Sequence, residues 1–364
     1  MSIILFIIIL ATLVFVHELG HFIIAKKSNI RVDEFGIGFP PKIFAKKFGE
    51  TIYSLNLIPI GGFVKIFGEN PNDLSLEGQD QERSFTRKPR YIQAAVLVGG
   101  VLFNLLFAWL LVSISLSAGL PVATSNYEGR GIIRDARVMI GSVEPGSPAA
   151  KAGLRAGDVI VSLKSYSDAL VEPSPETVHD FVSSHEEILT IEYERGGEKK
   201  SVTATPVIIL SSEPPRLGIS MEEVGVLTLN FPEALIEGAK TTWHLTKAVT
   251  IGLGGFFLGA FRGETSIDDL IGPVGIASLV GEAGSLGLVY LISFTAFISI
   301  NLAVLNLLPF PALDGGRLLF VAIEGILRRR IKPKILNAAN ATGFVLLLIL
   351  MIVVTYHDIV KIIT

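Results

Sequence analysis

Apolar residues in this chain gather into long runs, separated by stretches that alternate or mix polar and apolar positions. Four runs reach membrane length, at residues 3–25, about 94–116, about 286–308 and about 341–356. A helix rises ~1.5 Å per residue, so twenty-odd residues cross a hydrocarbon layer of ~30 Å. Each run therefore predicts a transmembrane helix. A shorter apolar stretch, residues 317–327, predicts one more helix just after the third run.

Other patterns lie between the runs. Residues 51–58 alternate as a strand, Pro59-Ile60-Gly61-Gly62 turns the chain, and Phe63-Val64-Lys65-Ile66 returns. With residues 35–40 this predicts a small β-hairpin element. Residues 231–247 read as an amphipathic helix. The stretch 248–261 that follows is apolar but short and rich in glycine. It is expected to lie in the outer interface, because a full crossing there would invert every later element. Residues 125–223 have the composition of a globular domain.

The first run is broken by His17-Glu18-Leu19-Gly20-His21. Ionisable groups are costly in a bilayer and mark functional sites there. On a helix, positions i and i+4 share a face, so His17 and His21 can hold one metal ion between them. Glu18 is one step round, where a carboxylate reaches an adjacent water without itself being a ligand. That is the arrangement of a zinc hydrolase. No third histidine follows within 22–26, so a third ligand has to come from far along the chain.

Charge then orients the chain. Half of the 364 residues are apolar and the net charge is only −3, which gives no reason to expect a nucleic-acid partner. Lysine and arginine crowd residues 26–90, between the first and second runs, and 317–334, between the third and fourth. Positive loops stay in the cytoplasm, so both termini are expected outside, and the globular stretch 125–223 with them. Cysteine is absent, which removes disulfides and thiolate ligands. The first run lacks a basic leader and a small-residue cleavage site, so it is expected to remain as a helix.

The third run ends in Asn306-Leu307-Leu308-Pro309-Phe310-Pro311-Ala312-Leu313-Asp314-Gly315-Gly316. Two prolines break the helix, and irregular backbone at membrane depth needs protein or a wet cavity around it. Asp314 opens the next helix, where an aspartate serves as an N-cap. It is alternatively the missing zinc ligand, completing a set of two nitrogens and one oxygen with a fourth position open. Topology favours the ligand, since the positive loops put Asp314 and the histidine pair toward the same side of the membrane.

His17–His21 in a first helix, with Asn306-x-x-Pro309 and Leu313-Asp314-Gly315 closing a third, resemble the site-2 protease family, in its bacterial regulator of sigma-E protease branch. Residues 36–40, 61–65, 102–104 and 272–276 match it as well. The resemblance implies an intramembrane endopeptidase of the bacterial cytoplasmic membrane with one Zn²⁺ per chain. His17, His21 and Asp314 would be the ligands and Glu18 the general base. It implies a single-pass transmembrane substrate, an anti-sigma factor or signal-peptide remnant, trimmed first by another protease. It also assigns the hairpin, through Gly61, Gly62 and Phe63, to holding the substrate strand beside the bilayer, with Asn306 and Pro309 as further substrate-positioning candidates.

The stretch Gly146-Ser147-Pro148-Ala149 … Ala152-Gly153-Leu154-Arg155-Ala156-Gly157-Asp158-Val159-Ile160 is similar to PDZ domains of bacterial proteases. Leu217, Gly218 and Ile219 would border its groove, which takes an extended chain as an added strand. Relatives often carry two such domains; this chain has room for one. The expected fold is a polytopic α-helical membrane protein of about four transmembrane helices, with a cytoplasmic membrane-associated β-hairpin and one extracytoplasmic PDZ-like α+β domain. Expected segments are 1–28, 29–90, 91–120, 125–223, 228–284, 285–327 and 335–358. An inactive PDZ-bearing scaffold would leave the four polar residues without a use. A metal transporter would need neither Glu18 nor the hairpin nor the PDZ domain.

Overall fold

A computed structural model describes residues 2–69, 81–124, 132–208, 214–265 and 270–363. The chain opens with α1 (Ser2–Lys27), β1 (Val32–Phe48), β2 (Thr51–Ile66) and α2 (Arg90–Ala118). There follow β3 (Leu120–Ala123), β4 (Ile132–Val143), α3 (Pro148–Lys151), β5 (Val159–Lys164), β6 (Ala169–Leu170) and α4 (Pro175–Ser183). Next come β7 (Leu189–Arg195), β8 (Glu198–Ala204), β9 (Ile219–Thr228) and α5 (Phe231–Arg262). The last elements are α6 (Pro273–Leu286), α7 (Leu288–Leu307), α8 (Asp314–Leu327) and α9 (Pro333–Ile363). Two compact units result, one of residues 1–113 with 238–364 and one of residues 114–237.

Within the first unit, α1, α2, α7 and α9 are long and apolar enough to cross a membrane. They coincide with the four hydrophobic runs. Helices α1 and α2 meet at glycines: a Cβ on Gly99 would lie 2.9 Å from the Gly20 carbonyl, and one on Gly20 would strike the Gly99 carbonyl. Small residues let membrane helices approach at backbone distance. The hydroxyl of Ser299 on α7 donates to the Asn104 carbonyl of α2 at 2.8 Å, drawing α7 to the same place.

Two helices differ from the sequence expectation. The amphipathic and glycine-rich stretches form one continuous 32-residue helix, α5, with no break between them. Residues 273–286 form α6, which the hydrophobic pattern alone did not separate from its surroundings. Its fourteen residues span roughly 21 Å, too little to cross. Instead α6 buries Val280 with Ile9 and Leu13 of α1. The carboxylate of Asp358 on α9 accepts from the backbone N–H groups of Gly272 and Gly275 at 3.1 and 2.8 Å, closing the start of α6. Helix α8 is held to α2 by Arg90 and the buried Glu324, 2.7 Å apart.

The hairpin is larger than the alternating residues predict, because both strands bend midway and pair twice. Residues 32–37 of β1 pair with residues 62–66 of β2 on one side and with residues 52–55 on the other. The far half of β1, residues 42–48, pairs with residues 51–56. Segment 62–66 is thereby an edge, with no further strand on its outer side among the described residues. The far half exposes Phe39, Ile43, Phe44, Phe48, Leu55 and Leu57, an apolar patch unusual for a surface in water.

In the second unit the sheet runs β3-β9-β4-β5-β7-β8, with β6 beside β5. Its core gathers Val138, Ile140, Leu163, Val178, Leu189 and Ile191, all at most 1% exposed. Ser147 caps α3 by accepting from Ala150 N, and Ser174 and Thr177 form a reciprocal capping box on α4. Asp158 is 1% exposed and receives Arg195 in a forked pair at 2.6 and 2.7 Å, plus Arg155 N at 2.8 Å. That satisfies a buried carboxylate and gives the aspartate of the Gly-Asp turn a structural role. Leu217 is buried, Gly218 takes φ +74° against Ser147, and Ile219 begins β9. Beside them Glu144, Ser147, Lys151, Val207 and Arg216 line a cavity of about 190 Å³.

Candidate active site

The second and third turns from the end of α1 carry His21 and His17 with Glu18, and the two imidazoles leave one face as the i, i+4 spacing requires. Both are buried, at 7% and 8% exposure. The break after α7 supplies the third group. Phe310 N donates to the Leu308 carbonyl and Leu313 N to the Phe310 carbonyl, so 308–313 is a tight turn. Gly315 and Gly316 press against the carbonyls of Leu307, Leu308 and Phe310, where a Cβ would collide. These glycines let the turn fold onto the start of α8 and swing Asp314 inward.

Asp314 occupies the first position of α8, while Leu313 is the cap residue. Its Oδ2 lies 2.9 Å from His17 Nε2 and 3.2 Å from His21 Nε2, and the two Nε2 atoms are 3.2 Å apart. A tetrahedral zinc site with bonds of about 2.0–2.1 Å separates its ligand atoms by roughly 3.3 Å. The three donors therefore stand at the spacing such an ion needs. Among the described residues they form the group of histidine and carboxylate side chains suited to a metal.

The surroundings fit the same purpose. His21 Nδ1–H donates to the Val96 carbonyl at 2.8 Å, which leaves Nε2 with its lone pair directed at the cluster. Gly100 of α2 closes the opposite wall; a Cβ there would lie 2.6 Å from both His17 Cε1 and His21 Nε2. A cavity of about 200 Å³ opens on the remaining side, lined by Glu18, His21, Phe63, Val64, Asp314 and Arg317. Arg317 is ion-paired with Glu69 on its rim.

The edge segment of β2 also borders this cavity. A Cβ on Gly62 would sit 3.6 Å from Glu18 Cγ and 3.0 Å from the Gly36 carbonyl. Gly61 takes φ +97° with Phe39 packed beneath it, a conformation that favours glycine. Gly62 and Phe63 thus stand with Glu18, while Gly61 packs on Phe39 and does not line the cavity. Asn306, half-buried on the last turn of α7, and the exposed Pro309 lie outside the residues lining the cavity. Gly100 and Asn104 contribute as well; in the sequence Asn104 stands out only within the 102–104 match, with no role attached, and Gly100 not at all. Their signal was a small residue and an amide inside a membrane helix, but nothing in the pattern says which neighbour they face.

The chain matches the family model described as Peptidase family M50 over residues 5–350. A protein of Clostridium acetobutylicum is 33% identical over 362 residues, covering 99% of this chain and 97% of that one. The zinc metalloprotease RasP of Geobacillus kaustophilus is 30% identical over 440 aligned positions, covering 99% and 98%. The regulator of sigma-W protease RasP of Bacillus subtilis is 30% identical, covering 98% of each chain. Among solved structures, the PDZ domain of an SdrC-like protein from Listeria monocytogenes is similar to 25% of this chain and 92% of its own, at 23% identity and a TM-score of 0.22. With a match that runs from the first transmembrane helix to the last, this chain belongs to peptidase family M50, the site-2 proteases, and is a zinc metalloprotease.

Proposed function

We propose that this protein is an intramembrane zinc endopeptidase in which His17, His21 and Asp314 hold one Zn²⁺ and Glu18 is the general base. The observation that carries this is the meeting of three donor atoms at 2.9–3.2 Å, from residues up to 297 positions apart, beside a carboxylate-lined cavity. Bound zinc supplies a Lewis acid that polarises the scissile carbonyl and acidifies water. Glu18 takes the proton of the attacking water, holds it, and returns it to the leaving amide nitrogen.

A transmembrane substrate has every backbone group paired within its own helix. Cleavage requires a few residues to unwind, and unwound backbone needs new partners. The free edge at 62–66 offers them by strand addition, whatever the side chains. The exposed apolar half of the hairpin would sit in the bilayer interface. Pro309 and Pro311 end α7 and shape the turn that delivers Asp314.

By the positive-inside argument, the hairpin side of the active site is cytoplasmic, and both termini and the PDZ-like unit are outside, in a bacterial cytoplasmic membrane. We assign the substrate as a single-pass membrane protein already trimmed outside by another protease. A sigma-factor-linked substrate is consistent with the name of the Bacillus relative. The PDZ-like unit, through the groove at Leu217–Ile219, would screen what approaches.

The test compares purified wild type with Glu18→Gln in detergent, measuring zinc content and cleavage of a model transmembrane substrate. Expected is zinc near one per chain in both and cleavage only in wild type, a loss of about 10²–10⁴-fold or more. Cleavage at the wild-type rate by Glu18→Gln would sink the base assignment. Absence of zinc in both would remove the metal reading.

A further inference from the structure

Asn104 lies one turn beyond Gly100 on α2 and is fully buried. Its Nδ2 stands 3.3 Å from His17 Nδ1, while its Oδ1 is buried with no hydrogen-bond partner among the described residues. The two ends of an amide are nearly isosteric, so chemistry decides which one faces the ring. With Nδ2 toward Nδ1, that nitrogen must carry the lone pair and the proton sits on Nε2. That is the nitrogen placed 2.9 Å from Asp314 and 3.2 Å from His21, and a protonated Nε2 cannot bind a metal. With Oδ1 there instead, Nδ1–H donates and Nε2 is free.

We propose that Asn104 is a positioning residue for His17: its side-chain carbonyl accepts the Nδ1 proton and sets the tautomer and ring plane. It does for His17 what the Val96 main-chain carbonyl, at 2.8 Å, does for His21. Both acceptors come from α2, so one helix orients both imidazoles. Its own position is held by the Ser299 hydroxyl on the Asn104 backbone carbonyl. Outer partners of this kind fix the ligand's direction and raise its basicity. The inference rests on the zinc site proposed above.

Full-length wild type, Asn104→Leu, Asn104→Asp and His17→Ala are compared in detergent by chelator competition for zinc and by the visible spectrum of the cobalt(II)-loaded proteins. Asn104→Leu, similar in size but without an acceptor, is expected to weaken zinc by about 10–100-fold and to shift the cobalt bands. Asn104→Asp keeps an acceptor and is expected to hold zinc as tightly as wild type. Unchanged affinity in Asn104→Leu, or equal loss in Leu and Asp, overturns the proposal. If Asn104→Leu does not fold, Asn104→Asp decides alone: it has no N–H to give, so weakened binding means the amide acts as a donor. Wild-type zinc affinity in His17→Ala would instead overturn the metal site itself.

Discussion

Gly100 abuts the His17–His21 pair at a distance that leaves no room for a methyl group. A Cβ there would lie 2.6 Å from His21 Nε2 and 2.8 Å from His17 Nε2, inside any real contact distance. The atoms it would meet belong to two buried imidazoles, so Gly100→Ala must displace an imidazole or the α1–α2 crossing. Zinc content is expected to fall well below one per chain, and cleavage with it, while the helical far-ultraviolet spectrum stays that of wild type. Full zinc occupancy in Gly100→Ala would show that the wall gives way.

Asp314 touches both imidazoles and stands at the first position of α8, so two roles compete for it. As a ligand, its removal leaves two nitrogens, too few for a stable zinc site. As a helix-start anion it is worth only about 0.3–1 kcal/mol. Asp314→Ala is therefore expected to lose both zinc and activity with little change in thermal stability of the apo protein. Stoichiometric zinc in this variant would reduce Asp314 to its helix-start role.

Gly62, the first residue of the hairpin edge, leaves a gap beside Glu18. Filling that gap with Gly62→Val leaves the metal donors untouched but crowds the space where a substrate strand would pair. Cleavage of a transmembrane substrate is expected to fall by an order of magnitude or more, at unchanged zinc content. Undiminished cleavage would remove the edge strand from substrate binding.

Glu50, at the turn between β1 and β2, accepts from Arg83 at 2.7 Å and Lys26 at 2.5 Å. These hydrogen bonds and charges hold its carboxyl down to about 2, from an ordinary 4.5. A depressed folded-state value adds stability above the unfolded value, and that stability is lost as pH falls toward the folded one. The stability difference between wild type and Glu50→Gln is expected to be full above pH 4.5 and to vanish as pH approaches about 2. A difference independent of pH would mean the ionised carboxylate contributes nothing there.

Excision of residues 125–223 tests the role of the PDZ-like unit. Cleavage of substrates with bulky outer segments is expected to rise relative to trimmed ones, with zinc content unchanged. An unaltered preference would strip the unit of its screening role.

Transfer energy and local spacing were enough to place the membrane helices and the histidine pair from the residues alone. Twenty apolar residues have few alternatives to crossing a membrane, and α1, α2, α7 and α9 appear where the runs lie. His17 and His21 share a face on any helix, and the Pro-rich break with its paired glycines marked Asp314 as the start of a new one. Periodicity also showed strands near 51–66.

Features that depend on which surfaces meet emerged only from long-range packing. Hydropathy registers that Asn104 is unusual in a membrane helix, but not that it faces His17, nor that Gly100 abuts both imidazoles. An alternating pattern identifies a strand but not its neighbours, so the double pairing of β1 and the free edge at 62–66 emerged only from the folded hairpin. Helix α6 escaped notice because its apolar residues are spent on α1 and its start is closed by Asp358, a residue eighty-odd positions away. Local energies set the elements; long-range packing, invisible to a window of residues, set the chemistry between them.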